Sequence, residues 1–261
     1  MLRGIKKHLT AVALAGFVLL SAGSVSADVP DMTRYEAAGI TAERFPAEIA
    51  LKSLQEKAPD GGELVKIGYY ELQLSADRQL SAGNRERISD INGLNYQLAC
   101  KELDRFGDKA REALGNSWMR AMLPFYTEHI PTVVKADAGG LSILVLSNSW
   151  LGGAHPSYSY GGMNFAADGA VLRAEDICTD VEALCRALKD KLKMIGFAEY
   201  CFDIEKSFKE YADKNGEGLT FVRDDEAVYF YFSPYQIAPY AAGYSVARLR
   251  YDDYPELLRR L

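Results

Sequence analysis

An almost unbroken apolar run at residues 141–147 constrains the fold more than any other part of the chain. A run of this length predicts a strand that lies in the middle of a sheet and is buried on both faces. β-prone residues on either side predict further strands. The predicted strands cover residues 64–74, 130–136, 141–147, 158–165, 219–222, 227–232 and 244–251.

Helical periodicity appears between these strands. Apolar residues recur at three- and four-residue steps over 84–114, which predicts a long amphipathic helix. Asp180 is a good N-cap for a second helix, which Gly196 ends. A third helix is predicted at 202–211, and a short one at the end of the chain. Because no βαβ unit repeats, we expect an α+β fold: a mainly antiparallel sheet packed against a few helices, in a single mature domain.

The N-terminal residues predict export. Three basic residues precede an apolar run at 9–20, and Val25-Ser26-Ala27 supplies small residues for cleavage, so residues 1–27 are expected to be a Sec signal peptide. The run is shorter than the ~20 residues that span a bilayer. We therefore expect a periplasmic or secreted protein with no membrane span after cleavage. Residues 28–62 are expected to form an irregular lead-in with room for one short helix, and 63–261 the α+β domain.

The charge balance bears on partners. The predicted signal carries three of the 30 Lys and Arg and none of the 36 Asp and Glu, so 27 basic residues remain against 36 acidic ones. An acidic protein is poorly suited to nucleic acid, because phosphates need cationic contacts. It suits cationic partners, although the same charge would also serve solubility alone.

Four cysteines fall in the expected mature chain: Cys100, Cys178, Cys185 and Cys201. An even number in an oxidising compartment predicts at least one disulfide, and three connectivities are possible. If Cys178 and Cys185 were both helical, the rise of the helix would separate them by about 10 Å. That pair therefore requires Cys178 to lie outside the helix. No C-x-x-C spacing indicates a redox or zinc motif.

The sequence contains no standard catalytic signature such as G-x-S-x-G, H-E-x-x-H or a phosphate-binding glycine loop. The expected mature chain has two histidines, His129 and His155, and neither has a second histidine at metal-ligand spacing. We therefore expect no catalytic residues, no metal and no cofactor. A non-catalytic binding protein is the leading hypothesis.

The first candidate binding segment is Trp150-Leu151-Gly152-Gly153-Ala154-His155-Pro156, which follows the most apolar strand. The glycines permit unusual dihedrals and close backbone approach, and the proline favours an extended histidine. The segment is predicted to present a ligand-binding group, whose members are Trp150, Gly152, Gly153, His155 and Tyr158. The alternative is a sharp strand connection whose histidine satisfies local hydrogen bonds.

The second candidate segment is the loop at 233–243, in which prolines stiffen the chain and tyrosines offer apolar faces with polar tips. Tyr235 and Tyr240 are predicted to bind ligand there, unless they only pack the loop over the sheet. The central expectation is that both segments lie together at one end of a sheet and form one recognition surface.

Two rival functions remain open at this point. One is an envelope hydrolase that uses His155 as a base, with Asp168, Glu175 or Asp176 as its partner. Such catalysis requires those groups to converge within hydrogen-bond reach. The other is a structural envelope protein that has no small ligand.

Both segments resemble a known pair of domains. Leu-Gly-Gly-Ala-His-Pro at 151–156 resembles its Tyr-Thr-Gly-Gly-Ala-His motif, and residues 233–243 resemble its Asn-Pro-Tyr-Glu-Ile-Ala-Pro-Tyr-Ala-Ala-Gly. Asn164-Phe165 and Asp168-Gly169 resemble the Asn-Phe-Asp and Thr-Gly that follow the first motif. These are the domains of unknown function in RsiV-type anti-sigma factors, in their extracytoplasmic part, and in PdaC-type peptidoglycan deacetylases, in their non-catalytic part. The resemblance covers about 64–261.

The resemblance implies a binding module of the cell envelope. Its implied ligands are peptidoglycan fragments or a cationic wall-active protein such as lysozyme, which would suit an acidic surface. The chain departs from the family pattern at Leu151, where the family has Thr, and at Gln236, where it has Glu. It also lacks the metal-binding residues of a deacetylase domain, so deacetylation is not implied.

Overall fold

The structure is a computed structural model that describes residues 48–75 and 79–261. The predicted signal peptide and the lead-in up to residue 47 lie outside these described residues. Within them, no helix is both long and apolar enough to cross a membrane.

The first half of the described chain forms a five-stranded sheet with the order β1-β2-β3-β4-β5. Its strands are β1 (Glu48–Lys57), β2 (Glu63–Gln73), β3 (Phe125–Asp137), β4 (Gly140–Trp150) and β5 (Ser157–Phe165). β2 and β3 run parallel, and the other neighbours are antiparallel. Between β2 and β3 lie the long helix α1 (Ala82–Ala113) and the short α2 (Ser117–Arg120). A parallel pair needs such a crossover, so α1 accounts for the exception to antiparallel pairing.

The second half forms an antiparallel three-stranded sheet with its own helices. Its strands are β6 (Thr220–Arg223), β7 (Ala227–Phe232) and β8 (Ser245–Arg250). The helices that precede them are α3 (Ala174–Ile177), α4 (Val181–Met194) and α5 (Ile204–Asp213). Short 3₁₀ turns occupy Phe197–Tyr200 and Tyr240–Ala242. The expected α+β class is confirmed, with the strands divided between two sheets.

β4 lies between two cores, as the apolar run predicted. Leu141 and Ile143 belong to a cluster that includes Ile91 of α1. Leu144 and Leu146 belong to another, which includes side chains of the three-stranded sheet. The outer face of that second sheet packs against α4 and α5. The molecule is therefore layered as helix, sheet, sheet and helices, and β4 is buried on both faces because a layer covers each one.

Capping residues set the helix ends. The Ser81 hydroxyl accepts a hydrogen bond from the Asn84 amide at 3.1 Å, which begins α1. Asp180 caps α4 by accepting from Glu182 and Ala183 amides. Gly196 follows α4 in the left-handed region at φ 76°. The predicted N-cap at Asp180 and the predicted helix end at Gly196 are both confirmed.

A polar junction joins the two sheets. The Ser142 hydroxyl donates to Asn164 Oδ1 at 2.7 Å, and Asn164 Nδ2 donates to the Phe221 carbonyl at 2.7 Å. Gly162 permits this contact, because a Cβ there would lie 2.0 Å from the Phe221 carbonyl oxygen. The main chains of β5 and β6 therefore touch, and the buried side chains of Ser142 and Asn164 both bond across the junction, because Ser142 Oγ also accepts from the Arg223 amide at 2.9 Å.

Two expectations about the chain ends are wrong. Residues 48–57, expected within an irregular lead-in, form β1, which pairs with β2 along its length. Their side chains are mostly polar or exposed, so the strand carries little hydrophobic pattern and is held by main-chain pairing. The expected closing helix is replaced by turns, and Leu258 forms a bridge with Cys178. Pro255 also removes a main-chain donor in this segment.

All four cysteines are free thiols, so the expected disulfide is absent from the structure. Cys178 does lie outside α4, as its pairing with Cys185 requires. Both thiols are buried in the cluster under α4, where they act as small apolar side chains. Burial raises the pKa of Cys185 to about 11, and the nearby Cys178 adds to the shift.

Candidate functional site

The two candidate segments meet at one place on the molecule. The His155 ring stacks on the Tyr240 ring, with centroids 3.8 Å apart and planes inclined by 20°. Tyr158 approaches the same tyrosine edge-on at 5.7 Å, and Tyr235 lies 5.7 Å from it on another side. We call these four side chains, His155, Tyr158, Tyr235 and Tyr240, the ring cluster. The glycine-rich connection from the five-stranded sheet and the tyrosine loop from the three-stranded sheet thus form one surface.

The turn before β5 sets the orientation of His155. Gly152 and Gly153 adopt φ values of 78° and 139°, which side chains other than glycine rarely do. His155 Nδ1 lies 2.9 Å from the Pro156 carbonyl oxygen. Because a carbonyl only accepts, Nδ1 carries the proton, and Nε2 is the nitrogen left for an outside partner.

Hydrogen bonds of the Gln236 side chain hold the loop that carries Tyr235. Gln236 Oε1 accepts from the Ser233 amide at 2.9 Å, and Gln236 Nε2 donates to the Tyr211 hydroxyl at 2.8 Å. Tyr235 itself has φ 66°, an uncommon conformation for a bulky residue, and its side chain is 43% exposed. Backbone strain of this kind persists where the surrounding structure enforces it, and it often accompanies a functional role.

Core rings support the ring cluster from behind. Tyr158 contacts Tyr160 at 6.4 Å, and Tyr160 packs against Tyr231 at 5.1 Å and Tyr244 at 5.0 Å. Burial, with a smaller effect of Tyr235, raises the pKa of Tyr240, so its hydroxyl stays neutral and able to donate at ordinary pH. The surface is therefore rigid, aromatic and capable of hydrogen bonding.

The prediction for Trp150 is wrong. Its side chain is only 4% exposed and packs with α1 in the core. Its Nε1 donates to the Met122 carbonyl at 2.8 Å. Trp150 thus supports the turn from within, and the sequence could not distinguish this from presentation at the surface.

A groove that the sequence did not reveal opens beside the ring cluster. It has a volume of about 790 Å³ and follows β5 on one side and residues 214–221 on the other. Tyr158, Ser233 and Pro234 line its end nearest the ring cluster, and Gly161 and Gly162 line its length. The paired glycines were the available sequence signal, because glycine in a strand often marks a close backbone approach.

Each carboxylate of the hydrolase hypothesis contacts a group other than His155. Asp168 accepts from the Ala170 amide at 2.9 Å, and Asp176 accepts from the Arg173 amide at 2.7 Å. Glu175 lies 3.7 Å from the Arg173 guanidinium. His155 precedes β5 and Asp168 follows it, so the nine-residue strand places roughly 26 Å between them.

The second histidine, His129, contacts polar side chains of the sheet and of α1. His129 Nδ1 lies 2.9 Å from the Ser147 hydroxyl, and Nε2 lies 3.2 Å from a carboxylate oxygen of Glu102. Glu102 is 2% exposed, so the contact ties α1 to the sheet. Among the residues that the structure describes, no group of three His, Cys, Asp or Glu side chains could hold a metal ion.

One of the two segments that form this surface lies within a stretch that matches a known domain. Residues 176–252 match the domain described as a protein of unknown function, DUF3298. The matched DUF3298 segment runs from α3 to the turn after β8. It includes Tyr235 and Tyr240, whereas His155 and Tyr158 precede it.

Two solved structures of DUF3298 family proteins are similar to the chain, one from Bacteroides fragilis and one from Pseudomonas aeruginosa. Each is 16% identical with a TM-score of 0.48; 82% of this chain is covered, with 94% of the first protein and 95% of the second. No curated protein matches. The expected link to a domain of unknown function is thus supported at the level of DUF3298, and the RsiV and PdaC association stays a prediction.

Proposed function

We propose that this protein is a non-catalytic binding protein of the bacterial cell envelope, and that the ring cluster is its recognition surface. The supporting observation is the stack of His155 on Tyr240, which joins two segments that are 85 positions apart in the sequence and belong to different sheets. A connection that merely closes a strand has no need of a partner ring from the other sheet.

The chemistry of the surface suits a ligand with flat apolar faces and hydroxyl or amide groups. Half-exposed tyrosine and histidine rings stack on such faces, while their polar tips form hydrogen bonds. Rigid aromatic side chains also dominate the binding energy of protein interfaces. Peptidoglycan fragments and a cationic wall protein such as lysozyme are therefore the proposed ligands, in line with the resemblance of both segments to RsiV- and PdaC-type proteins.

An extracytoplasmic location is part of the proposal. It rests on the signal-like residues 1–27 and on the excess of acidic residues that remains after their removal. Lysozyme-like partners carry positive charge, and an acidic protein would attract them by long-range electrostatics.

Export also bears on the cysteines. We propose that Cys178 and Cys185 form a disulfide once the chain reaches an oxidising compartment. Both are buried in the same cluster, and Cys178 stands outside α4, as this pairing requires. Mass spectrometry of protein isolated from the periplasm, without reductant, should find this pair linked.

The binding proposal is tested with purified mature protein, peptidoglycan sacculi and lysozyme. Replacing His155 and Tyr240 together by alanine should weaken binding to at least one of the two ligands by tenfold or more, since stacked rings at the centre of a site are typical hot spots. Tyr200→Ala is the matched control, because Tyr200 is also an exposed tyrosine, 60% accessible, but lies outside both segments.

Two results would contradict the proposal. Full retention of binding by the folded double variant would show that the ring cluster is not the recognition surface. Failure of the wild-type protein to bind either ligand would favour the structural envelope role instead. Circular dichroism of each variant shows whether it remains folded.

A further inference from the structure

We propose that the groove beside β5 binds a linear, uncharged glycan, which continues from the ring cluster along the strand. This inference rests on the proposed binding function and narrows its ligand from wall components in general to a sugar polymer.

The shape of the groove suits an extended polymer. All nine residues of β5, Ser157–Phe165, line one side, which corresponds to a length of roughly 26 Å. The volume of about 790 Å³ lies within the range of small-ligand sites, but it is spread along a strand. Tyr158 lines this groove and also belongs to the ring cluster, so one ligand can contact both.

The outer edge of β5 argues against a peptide. A peptide that lies beside an edge strand binds by adding main-chain hydrogen bonds to it. Here the Tyr160 amide donates to the Ser233 hydroxyl at 2.9 Å, and the Leu172 amide donates to the Asn164 carbonyl at 2.8 Å. Because these main-chain groups are already bonded within the protein, strand addition along β5 is blocked.

The charges of the groove argue against an ionic polymer. Arg173 and Lys214 supply two positive charges to its lining, and Glu175 and Glu217 supply two negative ones. Arg173 and Glu175 lie close enough to offset each other, at 3.7 Å. A polyanion needs a clearly basic track, which this balanced lining does not provide.

The remaining lining offers what a sugar chain needs. Hydroxyl and amide side chains from Ser159, Asn215 and Thr220 border the groove. They can exchange hydrogen bonds with sugar hydroxyls. Beyond Tyr158, which lines the groove, the half-exposed rings of His155 and Tyr240 stack on each other, and their outer faces provide flat surfaces for a pyranose.

Glu217 offers a way to obstruct the groove without disturbing the fold. It is exposed and lines the groove on the wall opposite β5. The contact between β5 and β6 is made elsewhere, at Gly162 and the Phe221 carbonyl. Glu217→Trp should therefore narrow the groove and leave that contact intact, and Glu217→Gln is the matched control that removes the same charge without adding bulk.

The test is isothermal titration calorimetry with uncharged oligosaccharides of two to six units from the chitin, cellulose and maltose series. At least one series should bind with an affinity that rises by tenfold or more from the disaccharide to the hexasaccharide. Glu217→Trp should remove this gain with length and keep the wild-type Tm within a few degrees. Glu217→Gln, which adds no bulk, should retain most of the gain.

The outcomes separate the two proposals. If no hexasaccharide binds, or if Glu217→Trp binds the hexasaccharide as tightly as the wild type, the glycan inference is overturned. When that happens while lysozyme or sacculi still bind through the ring cluster, the broader binding function survives. If the wild-type protein binds none of the oligosaccharides, and neither sacculi nor lysozyme, both proposals are overturned.

Discussion

The two sheets bury their strands to different degrees, and the difference explains where the ligand surface forms. All six residues of β7 in the three-stranded sheet are buried, because the five-stranded sheet covers one face and helices cover the other. β1 of the five-stranded sheet is largely exposed, with Leu51 at 67% accessibility. The recognition surface lies at neither extreme. It forms where loops from the two sheets meet, so the rigid sheet interface fixes the positions of exposed rings.

The difference in burial between the two sheets should have its largest effect on stability when one large side chain is truncated in each sheet. Phe230→Ala in β7 removes a side chain with no solvent exposure and should lower the free energy of unfolding by about 3–5 kcal/mol. Leu51→Ala in β1 should change it by less than about 0.5 kcal/mol, because the side chain is already mostly in water. Urea denaturation measures both. Equal losses for the two variants would show that the three-stranded sheet is not the better-packed one.

The contact between the sheets is tested by the adjacent glycines of β5. Gly162→Ala places a methyl group against the Phe221 carbonyl and should lower the free energy of unfolding by about 3 kcal/mol. Gly161→Ala meets open space and should be neutral or stabilising by up to about 1 kcal/mol, because alanine restricts the unfolded chain. Thermal denaturation of the two variants provides the comparison, and a Gly162→Ala protein as stable as the wild type would contradict the close approach of β5 to β6.

A smaller effect concerns the reduced protein and Cys185. Burial raises the pKa of this thiol to about 11, so little thiolate forms near neutral pH. Alkylation of the folded, reduced protein by iodoacetamide should be much slower at Cys185 than at a model thiol at pH 8, and it should accelerate as the pH rises toward 11. Because the folded-state pKa is raised, any stabilisation linked to this thiol is fully present below the unfolded-state pKa and is lost as the pH rises through about 11. Rapid labelling of Cys185 at pH 7 would contradict its burial.

Much of the fold could be predicted because burial leaves a periodic pattern. The run at 141–147 identified β4, and Asp180 and Gly196 marked both ends of α4. β1 was missed because an edge strand is held by main-chain hydrogen bonds, which leave no pattern in its side chains. The division into two sheets was missed for a related reason, since alternation shows which residues are buried but not which strands pair.

The site could be predicted in part. Glycine, proline and tyrosine marked the two segments, and the structure brings His155, Tyr158, Tyr235 and Tyr240 together. Trp150 was misplaced because a tryptophan beside a glycine turn can face either the core or the solvent. The groove was missed because its walls come from β5, which ends at residue 165, and from residues 214–221, which begin 214 − 165 = 49 positions later in the sequence. Their proximity depends on the contact between the sheets.

The central claim is that rings from the two sheets act as one recognition surface, and a double-mutant cycle on His155 and Tyr240 tests it most directly. Binding of sacculi and of lysozyme would be measured for His155→Ala, Tyr240→Ala and the double variant. Stacked rings that share a ligand should be coupled by about 0.5–1.5 kcal/mol, so the double variant should lose clearly less than the sum of the single losses. Losses that add within about 0.3 kcal/mol, or single variants that bind like the wild type, would contradict the claim.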